Sequence, residues 1–216
     1  PNDIQLSRID KDYILGFLDY LKTAKQTHTK KEKLLHVNTQ VYYYKMLRDC
    51  LNYAVSEELI SANPMNKIKN EEKPHKHRTE REYLTIDELR KLAQTPFYNG
   101  LLKKAFLFSC FCGLRHSDII ALTWGDIEMD DDGNSRLYII QKKTKEAISL
   151  PLSQEAIKQL PKREDAKEDD IIFKKLITLG RTNEILPKWA EQAGIKKHIT
   201  FHTARHTHAT MLLTSG

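Results

Sequence analysis

Residues 66–81, NKIKNEEKPHKHRTER, constrain this chain more than any other stretch. They hold six Lys or Arg, three Glu, two His and a Pro, and offer almost nothing for a core to bury. Such a composition reads as a linker, so the chain is expected to fold as two units rather than around one core. A solvated hinge and a basic strap lying on phosphates both fit the charge, and a second basic segment at 22–36 favours the strap. The length of 216 residues leaves room for two modest domains.

Ahead of the linker the apolar period is helical. Asp10 can cap a helix carrying Ile14, Phe17, Leu18 and Leu21 on one face. Asn38 can cap a longer one with Val41, Leu47, Leu51, Ala54 and Val55, ending near Ser56–Leu59 before Asn63-Pro64. The second unit restarts at Thr85-Ile-Asp-Glu88, a capping box. Residues 101–113, LLKKAFLFSCFCG, predict a buried helix stopped by Gly113, and His116–Thr123 a short one. The period then changes to two. Three short strands are expected around Asp126–Met129, Arg136–Gln141 and Ala147–Leu150, with turns at DDGN and KKTK. Helices return near 153–160, 178–193 and 202–214.

Composition narrows the function classes. Thirty-five Lys and Arg against 29 Asp and Glu leave a charge of +6, which suits a polyanionic partner. No apolar run is long enough to cross a bilayer, and the opening PNDIQLSRIDKDY is too polar for a signal peptide. Three cysteines, Cys50, Cys110 and Cys112, make no disulfide framework, so a reducing cytoplasm is the default expectation.

Three pieces carry chemistry. In Gly113-Leu114-Arg115-His116-Ser117-Asp118, a glycine ends a buried helix and presents an arginine, and Asp118 is expected to pair with that guanidinium. Lys143 sits in a hairpin turn, eight residues before Pro151-Leu152. In Phe201-His202-Thr203-Ala204-Arg205-His206, His202 and Arg205 share a helix face. Two arginines, a lysine and a histidine suit a phosphodiester, because arginine forks stabilise charge on non-bridging oxygens while lysine and histidine move protons. His202 and His206 have the spacing of a zinc helix, but no Glu lies between them and Arg205 would repel a cation. His206 and His208 read as helix packing or capping groups. Trp124, Trp189 and at least one of Tyr42, Tyr43 and Tyr44 read as packing residues.

The ordered set GLRHSDI, KTKEAISLPL and FHTARHTHAT resembles the tyrosine recombinase (phage integrase) family, and its mobile-element integrases in particular. LTW after the first arginine and the W-A-x-x-A-G-I helix before HxxR extend the likeness over nearly the whole chain. The resemblance implies a mainly α fold with a small antiparallel β-sheet, arranged as a C-shaped DNA clamp. A helical, SAM-like core-binding domain would span 1–68, a basic linker 69–83 and the catalytic domain 84–216. Arg115 and Arg205 would clamp the phosphate, Lys143 would protonate the leaving 5′ oxygen, His202 would act as acid or base, and Asp118 would brace Arg115. Lys30, Lys31, Lys33, Lys76 and Arg78 are the basic residues expected on duplex DNA. The implied activity is strand cleavage and rejoining through a 3′-phosphotyrosine link, without cofactor or metal. It would be carried out by a homotetramer on DNA in the bacterial cytoplasm, with this isolated chain a monomer and no membrane involved.

The family's nucleophile is a tyrosine well beyond HxxR. All nine tyrosines of this sequence precede Arg205, the last being Tyr138. The expectation is therefore an integrase fragment ending before its nucleophile, inactive alone. The alternative is a non-catalytic DNA-binding protein derived from an integrase. A type IB topoisomerase shares the site chemistry, but the mobile-element character of the flanking residues argues against it.

Overall fold

The computed structural model describes residues 4–27, 33–77, 80–130 and 132–215, and divides into two compact units, 1–79 and 80–216. The architecture is mainly helical with one three-stranded antiparallel sheet. No helix among the described residues is long and apolar enough to cross a membrane.

In the first unit, α1 (Lys11–Thr23) begins where the Asp10 carboxylate accepts from the Tyr13 amide at 2.9 Å. Its buried positions, Ile14, Leu18 and Leu21, recur every three or four residues and meet Tyr44 and Leu51 of α2 (Val37–Ser56). Met65 and Ile68, in and after a 3₁₀ turn at Pro64–Lys67, close this small core. Tyr44 is the buried member of the tyrosine triplet, while Tyr42 and Tyr43 are exposed.

The cap of α2 differs from expectation. His36 occupies the cap position, and its Nδ1 accepts from the Asn38 amide at 3.1 Å. The Asn38 side chain instead donates to the His77 carbonyl at 3.0 Å and accepts from the His77 amide at 2.8 Å. An asparagine amide has both a donor and an acceptor, so it can pair with a backbone as another peptide would. Together with the Lys11–Glu72 ion pair at 3.6 Å, this pairing attaches residues 70–77 to the first unit. Much of the stretch read as a linker therefore folds with that unit, and the division between units falls after residue 79.

The second unit opens with α3 (Ile86–Gln94). Its capping box is formed by the Glu88 amide donating to Thr85 Oγ1 at 3.2 Å and the Thr85 amide donating to Glu88 Oε2 at 2.8 Å. Next, α4 (Gly100–Cys112) is buried on nearly every side and forms the centre of the unit's core. It packs against α6 (Gln154–Ile157) and α8 (Phe201–Ser215). Trp189 of α7 (Leu179–Gln192) is fully buried and stacks on Phe97, with centroids 4.7 Å apart. Cys110 and Cys112 are buried core thiols, and burial pushes Cys112 up to about 12.

The strands β1 (Ile127–Met129), β2 (Ser135–Ile140) and β3 (Ala147–Pro151) lie in sequence order. Leu137 pairs with both Ile127 and Leu150 and is the fully buried residue of the sheet's inner face. The helix expected over His116–Thr123 is shorter than that: α5 covers only His116–Ile119. Asp126 Oδ2 accepts from the Thr123 amide and hydroxyl at 2.7 and 2.9 Å, and Thr123 bridges to Ile171. A side-chain acceptor thus replaces the carbonyl that a continuing helix would have supplied.

Candidate phosphate-binding site

The site is built around a helix stop. Gly113 follows α4 at φ 66°, in the left-handed region, and a Cβ there would meet His208 Cδ2 at 2.5 Å. Two residues later Arg115 precedes α5. The carbonyl of Gly113 itself accepts from Arg205 Nη1 at 2.7 Å. One turn of backbone therefore presents the first arginine and anchors the second. Beneath it lies the His208 ring, whose pKa is lowered by desolvation first, with the backbone of Cys110 and Phe111 opposing the shift.

Arg115 donates from Nη1 to Gln141 Oε1 at 2.6 Å. The expected pairing of Asp118 with this guanidinium is not what forms. Asp118 is buried and accepts from two backbone amides, that of Arg115 at 3.4 Å and that of Lys142 at 3.1 Å. Its place three residues into the chain from Arg115 points the carboxylate back at the start of α5, as in a capping box. Asp118 thereby ties α5 to the β2–β3 turn.

That turn carries Lys143 at an exposed position. It is closed by the Lys145 amide donating to the Gln141 carbonyl and by the Gln141 amide donating to the Glu146 carbonyl, both at 2.9 Å. Thr144 Oγ1 adds a bond to Gln141 Oε1 at 2.9 Å.

His202 stands in the first turn of α8, exposed, in an edge-to-face contact with His206 at 4.5 Å between ring centroids. Partial desolvation lowers its pKa, and Arg81, Arg205, Arg115 and Lys143 lower it further. His206 is lowered by desolvation, then by His202, Arg81 and Arg205. Arg205 is likewise held below its usual value by desolvation and by Arg115, with Asp118 pulling the other way. Groups this far apart in sequence act on one another only because the fold gathers them.

Arg115, Lys143, His202, Arg205 and Asp118 thus surround one positively charged patch of the second unit. Lys33 and Lys76 are exposed on the first unit, while Lys30, Lys31 and Arg78 lie outside the described residues. Sequence reasoning missed Gln141, Arg81 and the His206 ring contact. Arg81 was hidden in a charged run, and a single glutamine at a strand end gives no signal. Among the described residues, no group of three or more His, Cys, Asp or Glu side chains gathers to hold a metal ion.

This arrangement defines a mainly helical protein with a small antiparallel sheet and a cluster of cations in its second unit. The fold is like that of a lambda integrase dimer bound to a COC′ core site, with TM-score 0.72 and 21% identity, covering 100% of this chain and 75% of that one. It is also like XerH recombinase bound to difH substrate in a pre-cleavage complex, with TM-score 0.64 and 15% identity, covering 98% and 62%. The phage integrase family model matches residues 82–216, and the phage integrase SAM-like domain model matches residues 1–71. The chain belongs to the phage integrase family. It is 28% identical over 222 residues to a tyrosine recombinase of Pseudothermotoga lettingae, covering 100% of this chain and 72% of that protein. It is 29% identical over 246 residues to tyrosine recombinase XerD of Listeria monocytogenes, covering 100% and 80%.

Proposed function

We propose that this chain is the DNA-binding and phosphate-activating part of a site-specific recombinase, an integrase of a mobile element. The observation that carries the reading is the gathering of Arg115, Lys143, and the α8 pair His202 and Arg205, from three separate segments of the second unit. Arg115 and Arg205 bind the non-bridging oxygens of the scissile phosphate and stabilise the charge that develops there. Lys143, on its exposed turn, donates the proton that the leaving 5′ oxygen takes up. His202, whose pKa is lowered by partial desolvation and by the cations around it, accepts a proton from the attacking hydroxyl. The attacking group is a tyrosine that forms a 3′-phosphotyrosine link, and the bond energy stored in that link drives rejoining. None of the nine tyrosines in these residues follows Arg205, so none stands in the family's position. Four protomers acting on two duplexes in the bacterial cytoplasm complete the proposal.

The test is adduct formation on a nicked duplex spanning a junction between the element and its host DNA, run on a denaturing gel. The full-length gene product is expected to give a tyrosine-linked adduct. In that product, Arg115→Ala or Arg205→Ala should slow cleavage on the order of a hundredfold or more. The 216-residue chain alone should bind the duplex and give no adduct. Binding without an adduct from the full-length product would instead support a DNA-binding protein that keeps the clamp and lacks the chemistry.

A further inference from the structure

We propose that Gln141 is a positioning residue that fixes Arg115 and the Lys143 turn to a single oxygen atom. The inference rests on the phosphodiester reading of the site and assigns a role to a residue outside the arginine, lysine and histidine set. Gln141 is 2% exposed, at the end of β2. Its Oε1 accepts from Arg115 Nη1 at 2.6 Å and from Thr144 Oγ1 at 2.9 Å. Its backbone carbonyl and amide hold Lys145 and Glu146, on the far side of the same turn. Lys143 is therefore enclosed by a loop whose base and tip both depend on Gln141.

The orientation of the amide follows from chemistry. A guanidinium only donates, so the oxygen must face Arg115 and the nitrogen must face away. Nε2 is buried there without a partner. An unpaired buried donor is a cost that a methionine of similar size would avoid, so packing does not account for a glutamine at this position. The oxygen accounts for it.

The neutrality of that oxygen matters as well. A carboxylate at position 141 would hold the guanidinium more strongly, yet would cancel part of the charge needed by a phosphate. An amide oxygen orients the fork and leaves its full charge for the ligand. Asp118, the nearby carboxylate, is occupied by backbone amides. The division of labour is consistent: the anion holds backbone, and the neutral acceptor holds the arginine.

The experiment is arginine side-chain NMR on the 216-residue chain, with inorganic phosphate as the probe. In the unaltered protein, Arg115 should show hindered rotation of its guanidinium, and phosphate should shift Arg115 and Arg205 together. Gln141→Met should free that rotation and weaken phosphate binding by about fivefold or more, with cooperative unfolding retained. Gln141→Glu should restore the hindered rotation but not the phosphate affinity, a split that a purely structural role would not produce. Thr144→Val supplies a milder variant, expected to leave Arg115 held while amide exchange at Lys143 quickens. Unchanged Arg115 rotation and unchanged phosphate affinity in Gln141→Met would overturn the assignment. If phosphate moved neither arginine in the unaltered protein while Gln141→Met still freed Arg115, the phosphodiester reading would fall, and the purpose given to the tether with it.

Discussion

Arg81 acts on both His202 and His206, although it lies in a run of charged residues with no motif around it. Its positive charge opposes protonation of either ring. Arg81→Ala should therefore raise both pKa values part of the way back toward 6.5, leaving the share owed to desolvation. Histidine Cε1–H titrations by NMR check this, and unmoved midpoints would remove Arg81 from the site. At this scale the sequence was legible where residue types recur at fixed spacing. Arg115, Lys143, His202 and Arg205 stood out as candidates because each sits in a motif of the ordered set. Gln141 and Asn38 did not, because an amide side chain takes its meaning from the atoms it meets. The same limit explains Asp118: its spacing from Arg115 was visible, but its preference for the backbone amides of Arg115 and Lys142 was not.

The α4–α5 junction shows how elements set the site. Alternation, capping and glycine placement made α3, α4 and all three strands readable in advance, since each depends on neighbours within a few residues. The early end of α5 and the attachment of residues 70–77 depend on partners elsewhere in the fold, and local patterns carry no trace of them. Gly113 is the element-scale test. A side chain there must adopt φ near 66° and displace the His208 ring, 2.5 Å from a new Cβ. Gly113→Ala should destabilise the second unit by ~1–2 kcal/mol from the left-handed backbone alone, with the clash added to it. It should also loosen Arg205, whose guanidinium is bonded to the Gly113 carbonyl. Denaturant unfolding followed by Trp189 fluorescence reads the first effect. A midpoint equal to that of the unaltered chain would show that the turn relaxes freely.

Over the whole molecule, pH and salt probe different parts. His116, His202, His206 and His208 all have pKa values below 6.5 in the fold, each through desolvation first. An unfolded chain then binds more protons than the folded one as pH falls through 6.5 toward the folded values. The stability these groups supply is present above that point and is lost on acidification. The thermal midpoint should drop between pH 7.5 and 5.5, and a flat profile would contradict the shifts. Salt tests the proposed DNA contacts. Replacing Lys30, Lys31 and Lys33 with Ala should flatten the log–log salt dependence of duplex binding by roughly one unit per lost phosphate contact. An unchanged slope would place that segment off the DNA. Finally, each unit draws its core from its own stretch of chain: Ile14 to Ile68 in the first, Leu84 to Ala204 in the second. A genetic crossover between the codons for residues 77 and 83 would therefore join two intact units. Under the proposed function, lineages could then exchange one unit while inheriting the other, and a new target preference could arise in one event.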